Sequence, residues 1–284
     1  MRVAPCDDVE AFAEAAEALL ASDEANHTVL LAALQGARRA IARGESLPDG
    51  WDAAVVFDGA HAVAAARCWR KGWIVSNGPA EAWQTFGRWA AQRGGFDAVV
   101  GPEPSVAGFE RGAGITARTH LELPLMRLDG TPHQPHPLAG RLRAAGADDL
   151  PLLLEWNEAF RVEARITLTA EQVAADTRRP GRLDTQYLWL DAQSQPMGMI
   201  GGQTIAPTGA RVGPVYTPPA LRGRGIGGAL VATLSQRLLD AGARCVFLFT
   251  DASNPTSNAL YQRIGFAPIG RHLHRIVVGA DPRA

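Results

Sequence analysis

Between Arg222 and Gly228 the chain reads RGRGIGG, four glycines and two arginines around one isoleucine. Such a segment at the start of a helix suits an anion, because the first backbone N–H groups of a helix lack partners and the aligned peptide dipoles add partial positive charge. Glycine lets a phosphate approach that backbone closely. Arg222 and Arg224 can add charge-assisted hydrogen bonds at the rim. The helix itself is legible in its apolar period: Ile226, Leu230, Leu234 and Leu238 recur on one face, and Gly242 is placed to end it. Gly223, Gly225 and Gly228 also satisfy a dinucleotide-binding spacing, with Asp251 after the next strand where a ribose-binding acid would stand. Against that alternative, only 33 residues come after Asp251, too few for the rest of a doubly wound sheet, and Pro218 and Pro219 separate the preceding strand from the glycines.

A second stretch, LFTDASNPTSNALYQRIGF, places Asn254 as a helix cap, Pro255 at the first helical position and Gly265 at the end. Tyr261 falls one turn after Asn258 on that helix, where by itself it reads as a buried, hydrogen-bonded tyrosine. Tyr216 reads as a strand residue facing core or cleft, and His272 and His274 as a solvated face of the last strand. Glu155, Glu158 and Glu163 lie on or near helices opening the second half, where a carboxylate could take a proton from a nucleophile; a solvated helix face is the plainer reading of each.

The elements that must hold these residues come in two sets. LDGTPHQPHPLAG, from Leu128 to Gly140, has three prolines and no apolar period, which marks a linker. His133 and His136 in it have no acidic or thiol companions, so no metal site is expected. Beyond the linker, strands are expected near Leu188–Leu190, Met197–Ile205 and Ala210–Thr217, then the helix from Ile226, with a further helix over Asp149–Arg161 before them. Ahead of the linker the same order recurs: a helix over Val9–Leu20, strands at Ala53–Phe57, HAVAAARCW and GWIVSNGP, and a helix over Ala80–Gln92. In each half the later helix is succeeded by a short apolar strand, FDAVVG or RCVFLFT. This is the pattern of a duplicated α+β unit. The first half has SNGPAEA where the second has the glycines and arginines, so only the second carries an anion cradle.

Composition narrows the function classes. A formal net charge of -1 provides no general basic field for nucleic acid. Lys71 is the only lysine, so arginine abundance by itself is no signal. The start carries Asp7, Asp8, Glu10, Glu14 and Glu17 rather than a basic, then apolar, leader, and no apolar run reaches membrane-spanning length. Cys6, Cys68 and Cys245 are odd in number and far apart, which predicts no disulfide or zinc framework and a cytoplasmic protein.

In the glycine turn and the Asn254–Gly265 helix the second half resembles the GCN5-related N-acetyltransferase (GNAT) superfamily. The family's phosphate-binding signature, Arg or Gln, two residues, Gly, one residue, Gly or Ala, is matched by Arg222, Gly225 and Gly227. The likeness spans about residues 148–278; the first half shares only the order of elements. The resemblance implies an α+β fold, an α/β/α layered mixed sheet, in two tandem domains: a degenerate one over 1–128, a linker at 129–140 and an acetyltransferase domain over 141–284. It implies that the N–H groups of Gly223, Arg224, Gly225, Ile226, Gly227 and Gly228 grip the diphosphate of acetyl-CoA, the co-substrate. Val215 and Thr217 would pair with its pantetheine arm where the third strand parts from CVFLF, Asn254 would touch the same arm, and Tyr261 would protonate the leaving thiolate. Glu163 is the candidate base for an acceptor amine, on a small molecule or peptide, that attacks directly. Partners would be that acceptor, neither nucleic acid nor membrane, with a homodimer open to it. An acyl-CoA sensor without catalysis and a dinucleotide-binding oxidoreductase are the alternatives.

Overall fold

The computed structural model describes residues 1–284 except 48–49, 135–137, 180, 206–207 and 280–284; His136 of the linker therefore lies outside the described residues. In chain order the elements are β1 (Arg2–Cys6), α1 (Val9–Ser22), α2 (Glu24–Ala42), β2 (Asp52–Asp58), β3 (His61–Trp69), β4 (Gly72–Val75), α3 (Ala80–Arg93), β5 (Ala98–Pro102), α4 (Glu103–Ala113) and β6 (Ala117–Asp129). The order then repeats with β7 (Arg141–Ala144), α5 (Leu150–Glu163), α6 (Ala170–Arg178), β8 (Gln186–Leu190), β9 (Pro196–Thr204), β10 (Gly209–Tyr216), α7 (Ile226–Asp240), β11 (Cys245–Phe249), α8 (Pro255–Ile264) and β12 (Ala267–Val277). Among the described residues, the duplication expected from the sequence thus extends to ten elements in each copy.

The chain folds as two compact units: one holds Met1–Leu125 together with the last strand from Ile269 onward, the other Met126–Pro268. This division differs from the expected one, which gave everything after the linker to the second domain. The reason is strand pairing: β12 runs antiparallel beside β5, from His272 opposite Pro102 to Ile276 opposite Ala98. In the first unit the strand order is β1-β2-β3-β4-β5-β12-β6, with β4 and β5 parallel. Its core gathers Trp83, Phe86 and Phe109, each 0% exposed, between α3, α4 and the sheet. The two helices come so close that a Cβ at Gly112 would collide with the Gln84 carbonyl oxygen.

Position inside a sheet also overturns the solvated reading of the last-strand histidines. His272 is 2% exposed with Nε2 against Asn26 Oδ1 at 3.2 Å, and the His274 ring stands edge-on to His120 at 5.0 Å. Burial, then the neighbouring His120, pulls the His274 imidazole down to about 4. His27 is buried too, its Nε2 accepting from the Asn77 N–H at 2.9 Å and its Nδ1 facing the Leu20 carbonyl at 3.0 Å; burial likewise lowers it. A depressed folded-state value means that the unfolded chain binds the proton more readily. Stability is therefore present above about 6.5, the ordinary histidine value, and is lost as pH falls through the folded values. We expect the urea midpoint to drop between pH 7 and pH 4.5, with a smaller drop in His274→Gln.

In the second unit β11-β10-β9-β8-β7 lie side by side, β10 parallel to β11 and the other pairs antiparallel. One face packs on α7: Leu230, Leu234, Ala210, Val212, Val246 and Leu248 share a core with Met126 and Leu128. The opposite face packs on α5 through Leu153, Trp156, Leu188, Met199 and Tyr216. All four apolar positions read from the sequence on α7, Ile226, Leu230, Leu234 and Leu238, are buried. Gly242, just past its end, takes the left-handed conformation at φ +105°.

Candidate functional site

The glycine turn is built backward from the start of α7. A single 3-10 turn at Pro219–Leu221 leaves β10, Arg222 is extended, and Gly223 and Gly225 come next at φ +78° and +82°. An L side chain in that conformation costs about 1–2 kcal/mol, so glycine is what the turn needs there. Gly225 caps α7 without a side-chain hydrogen bond, and no acidic residue occupies the first turn. By contrast, Asp8 caps α1 and Asn254 caps α8 through their side-chain oxygens. The first N–H groups of α7 are thus left to an outside acceptor, beside the exposed Arg222, Gly223 and Arg224. In the first unit the matching helix α3 comes after Pro79 and carries Glu81 in its first turn, a carboxylate that disfavours an anion at that end.

Arg222 ties the turn down. Its Nε donates to the Thr217 carbonyl at 3.0 Å, and its Nη2 reaches both carboxylate oxygens of Glu163 at 2.6 and 2.7 Å. Its guanidinium also stands 6.0 Å from the Tyr216 ring. Glu163, the candidate base of the sequence reading, is the last residue of α5 and pairs with Arg222. Both side chains of the pair are well exposed, 47% and 44%, so it contributes no more than about 1 kcal/mol. We expect Glu163→Gln to change turnover less than about tenfold with a Tm shift within about 3 °C; a hundredfold loss in kcat would return the base role to this residue.

β10 and β11 pair only from Gly209 opposite Cys245 to Arg211 opposite Phe247 among the described residues. Beyond a register shift between Val212 and Val215, Val215 and Tyr216 pair with β9 alone, leaving an edge of β10 facing the gap toward β11. Val215 packs its side chain on the α7 core, whereas Tyr216 is buried against Trp156 on the other face.

Helix α8 brings the remaining residues. Asn254 Oδ1 accepts the Ser257 N–H at 3.1 Å, so the cap forms as its spacing required. Tyr261 is 9% exposed, edge-on to Phe266 at 6.3 Å, and burial pushes its hydroxyl up to about 12 against an opposing hydrogen bond with Ser257. A Cβ placed on Gly227 would meet Leu260 at 3.6 Å, which shows α8 seated against the start of α7. Asn258, which sequence reasoning used only as a spacing mark, donates from Nδ2 to the Asp251 carbonyl at 3.1 Å while its buried Oδ1 has no partner. Asp251 is also engaged: Arg165 reaches it at 2.6 Å and Ser253 at 2.7 Å. Burial opposes its charge, yet the Ser253 and Arg165 hydrogen bonds hold the carboxyl below its ordinary value. It is not disposed as a ribose acceptor. No cluster of metal-binding side chains occurs among the described residues.

A mixed sheet between helices, an uncapped glycine-rich helix start and strands parting beside it define a layered α/β protein with a candidate anion site at the start of α7. Residues 150–266 match the model of the acetyltransferase (GNAT) family, and the whole chain shares the fold of solved GNAT proteins, a tandem one among them. A GCN5-related N-acetyltransferase from Sphaerobacter thermophilus has the same fold at TM-score 0.63 and 20% identity, over 99% of this chain and 98% of that one. A tandem GNAT protein from the clavulanic acid biosynthesis pathway has it at 0.61 and 15%, over 98% and 99%. The mycothiol acetyltransferase of Nocardia farcinica (strain IFM 10152) is 30% identical over 197 residues, 64% of this chain and 64% of its own length. The matches cover less than two thirds of the length of the curated relatives.

Proposed function

We propose that the second unit transfers an acetyl group from acetyl-CoA to a primary amine of a small molecule or peptide, by direct attack of the amine. The observation that carries this reading is the start of α7: backbone N–H groups without a side-chain cap, two glycines at positive φ and two arginines at the rim. These residues fit a diphosphate. The N–H groups from Gly223 to Gly228 hold it, and Arg224, tethered by a long 3.5 Å bond to the Ala220 carbonyl, adds charge. Arg222 fixes the turn to Thr217. Val215 and the N–H of Thr217 offer main-chain groups to the pantetheine arm along the open edge of β10, and Asn254 borders it. When bound, the co-substrate supplies an activated thioester. Tyr261, kept neutral by burial, donates a proton toward the departing sulfur. The acceptor amine gives up its proton to water, with Glu163 held beside the turn by Arg222. The first unit, Met1–Leu125 with the last strand, is read as a degenerate copy of the second. No helix among the described residues is long and apolar enough to cross a membrane, and three free cysteines, Cys6, Cys68 and Cys245, support a reducing, cytoplasmic setting.

CoA release from acetyl-CoA, measured with polyamines, amino acids, aminoglycosides and mycothiol-related amines, tests the reading. Amine-dependent release together with thermal protection by CoA and none by NAD is the expected result. Protection without release from any amine would make the protein an acyl-CoA sensor; protection by NAD alone would sink the proposal.

A further inference from the structure

Two arginines on the second unit line one pocket. Arg182 caps the 3-10 turn Leu183–Thr185, and Arg211 sits on β10 directly opposite Gln203 of β9. Thr185, Gly202, Gln203 and Gly213 complete its lining. Ala210 and Val212 point into the α7 core, so strand alternation sends Arg211 to the other face, the one covered by α5. Neither guanidinium forms an ion pair among the described residues. Arg182 has a long 3.5 Å hydrogen bond to Thr185 Oγ1, and the buried Nε of Arg211 has no partner. The Phe249 ring centroid lies 5.7 Å from the Arg211 guanidinium carbon. Gln186, on neighbouring β8, is 0% exposed with both amide atoms unpartnered, its Nε2 close to Gly201 beside the Gly213 carbonyl. Burial, then the charge of Arg182, draws the Arg211 guanidinium down to about 10; burial, then Arg179, lowers Arg182, with Asp176 opposing weakly.

Desolvating two like charges together is unfavourable unless something of opposite sign sits between them. Guanidinium forks match a carboxylate or a phosphate in a bidentate manner. The position along β10 supplies the meaning. Arg211 is in the last pair that β10 makes with β11, and Gly213, which lines the same pocket, comes two residues before Val215 across the register shift. The pocket therefore adjoins the stretch of strand assigned to the pantetheine arm, at the end remote in sequence from the glycine turn.

We propose that the Arg182–Arg211 pocket binds an anionic group, a carboxylate or a phosphate, carried by the acceptor amine. This rests on the acetyl-transfer reading. Every acceptor of the enzyme would then be an amine with a nearby negative charge, as in an amino acid or an aminoalkyl phosphate.

Calorimetry on the full-length chain, saturated with CoA so that the glycine turn is filled, tests the pocket with acetate and with inorganic phosphate as probes. Binding of one of them is expected, the better of the two naming the preferred group, and Arg211→Gln or Arg182→Gln should weaken it at least tenfold while thermal protection by CoA stays as in the parent. No binding of either probe, or binding unchanged in both variants, overturns the pocket. Turnover with paired acceptors, glycine against glycinamide and phosphoethanolamine against ethanolamine, then tests the link to the acceptor. At least a tenfold kcat/KM advantage of an anionic twin, lost through KM in Arg211→Gln, supports it; equal use of the neutral twins overturns it. Absence of CoA protection in the parent chain would strike the acetyl-transfer reading itself and is seen separately, because the probes report on the arginines without any turnover.

Discussion

Replacing Tyr261 by phenylalanine is expected to lower kcat about a hundredfold or more while leaving CoA binding within about threefold of the parent. The ring is held by packing, 9% exposed and against Phe266, so the loss of one hydroxyl leaves the helix in place. The hydroxyl alone is removed, and with it the proton for the departing sulfur. Burial pushes that hydroxyl up to about 12, so it stays protonated throughout the range in which the protein can be assayed. The parent kcat should accordingly show no alkaline fall below about pH 10 attributable to this group. Steady-state kinetics with a pH series, beside CoA-dependent thermal shifts, would decide it: equal kcat in parent and variant removes Tyr261 from the chemistry.

The second large effect is expected at Gly227. A Cβ there meets only Leu260, at an ordinary 3.6 Å, so Gly227→Asp fits the fold. An aspartate in the first turn favours the helix by about 0.3–1 kcal/mol, which should leave Tm unchanged or raise it by about 2 °C. The same carboxylate stands where the diphosphate would sit, and like-charge repulsion near a protein surface reaches a few kcal/mol at close range, about a hundredfold or more in affinity. A more stable protein that no longer binds CoA is thus the signature. Gly227→Asn, without the charge, should lose much less. Undiminished CoA affinity in the aspartate variant, read by calorimetry, would mean that the anion lies elsewhere.

What could be read from the sequence was what neighbours in the chain decide. The Asn254 cap, the Gly265 stop and the apolar stripe of α7 are each settled within a few residues, and all stand where the pattern put them. Strands β8 to β11 were legible for the same reason. Long-range facts were not. Arg222 meets Glu163 across 59 residues, and no spacing rule announces that pair. Arg182 and Arg211 are brought together by the register of β9 on β10 and a short turn, so neither drew notice as a site. The histidines of β12 alternate as a half-exposed strand would, but a strand with neighbours on both sides and helix above is covered regardless of its polarity. Helix α6 did carry a local signal, the reciprocal capping of Thr169 and Gln172, which escaped because its apolar period is weak.

The place of β12 has a bearing on how the chain comes into being. A ribosome that has delivered residues 1–125 has delivered a sheet whose β5 still lacks the neighbour it will take from Ile269 onward. That edge stays open for the whole synthesis of the intervening unit, a pairing of very long sequence separation and hence of slow closure. Maturation of the amino-terminal half is thereby made conditional on its carboxyl-terminal residues, and a nascent product cut short before them carries an unsealed β edge, the kind of surface that chaperones meet first.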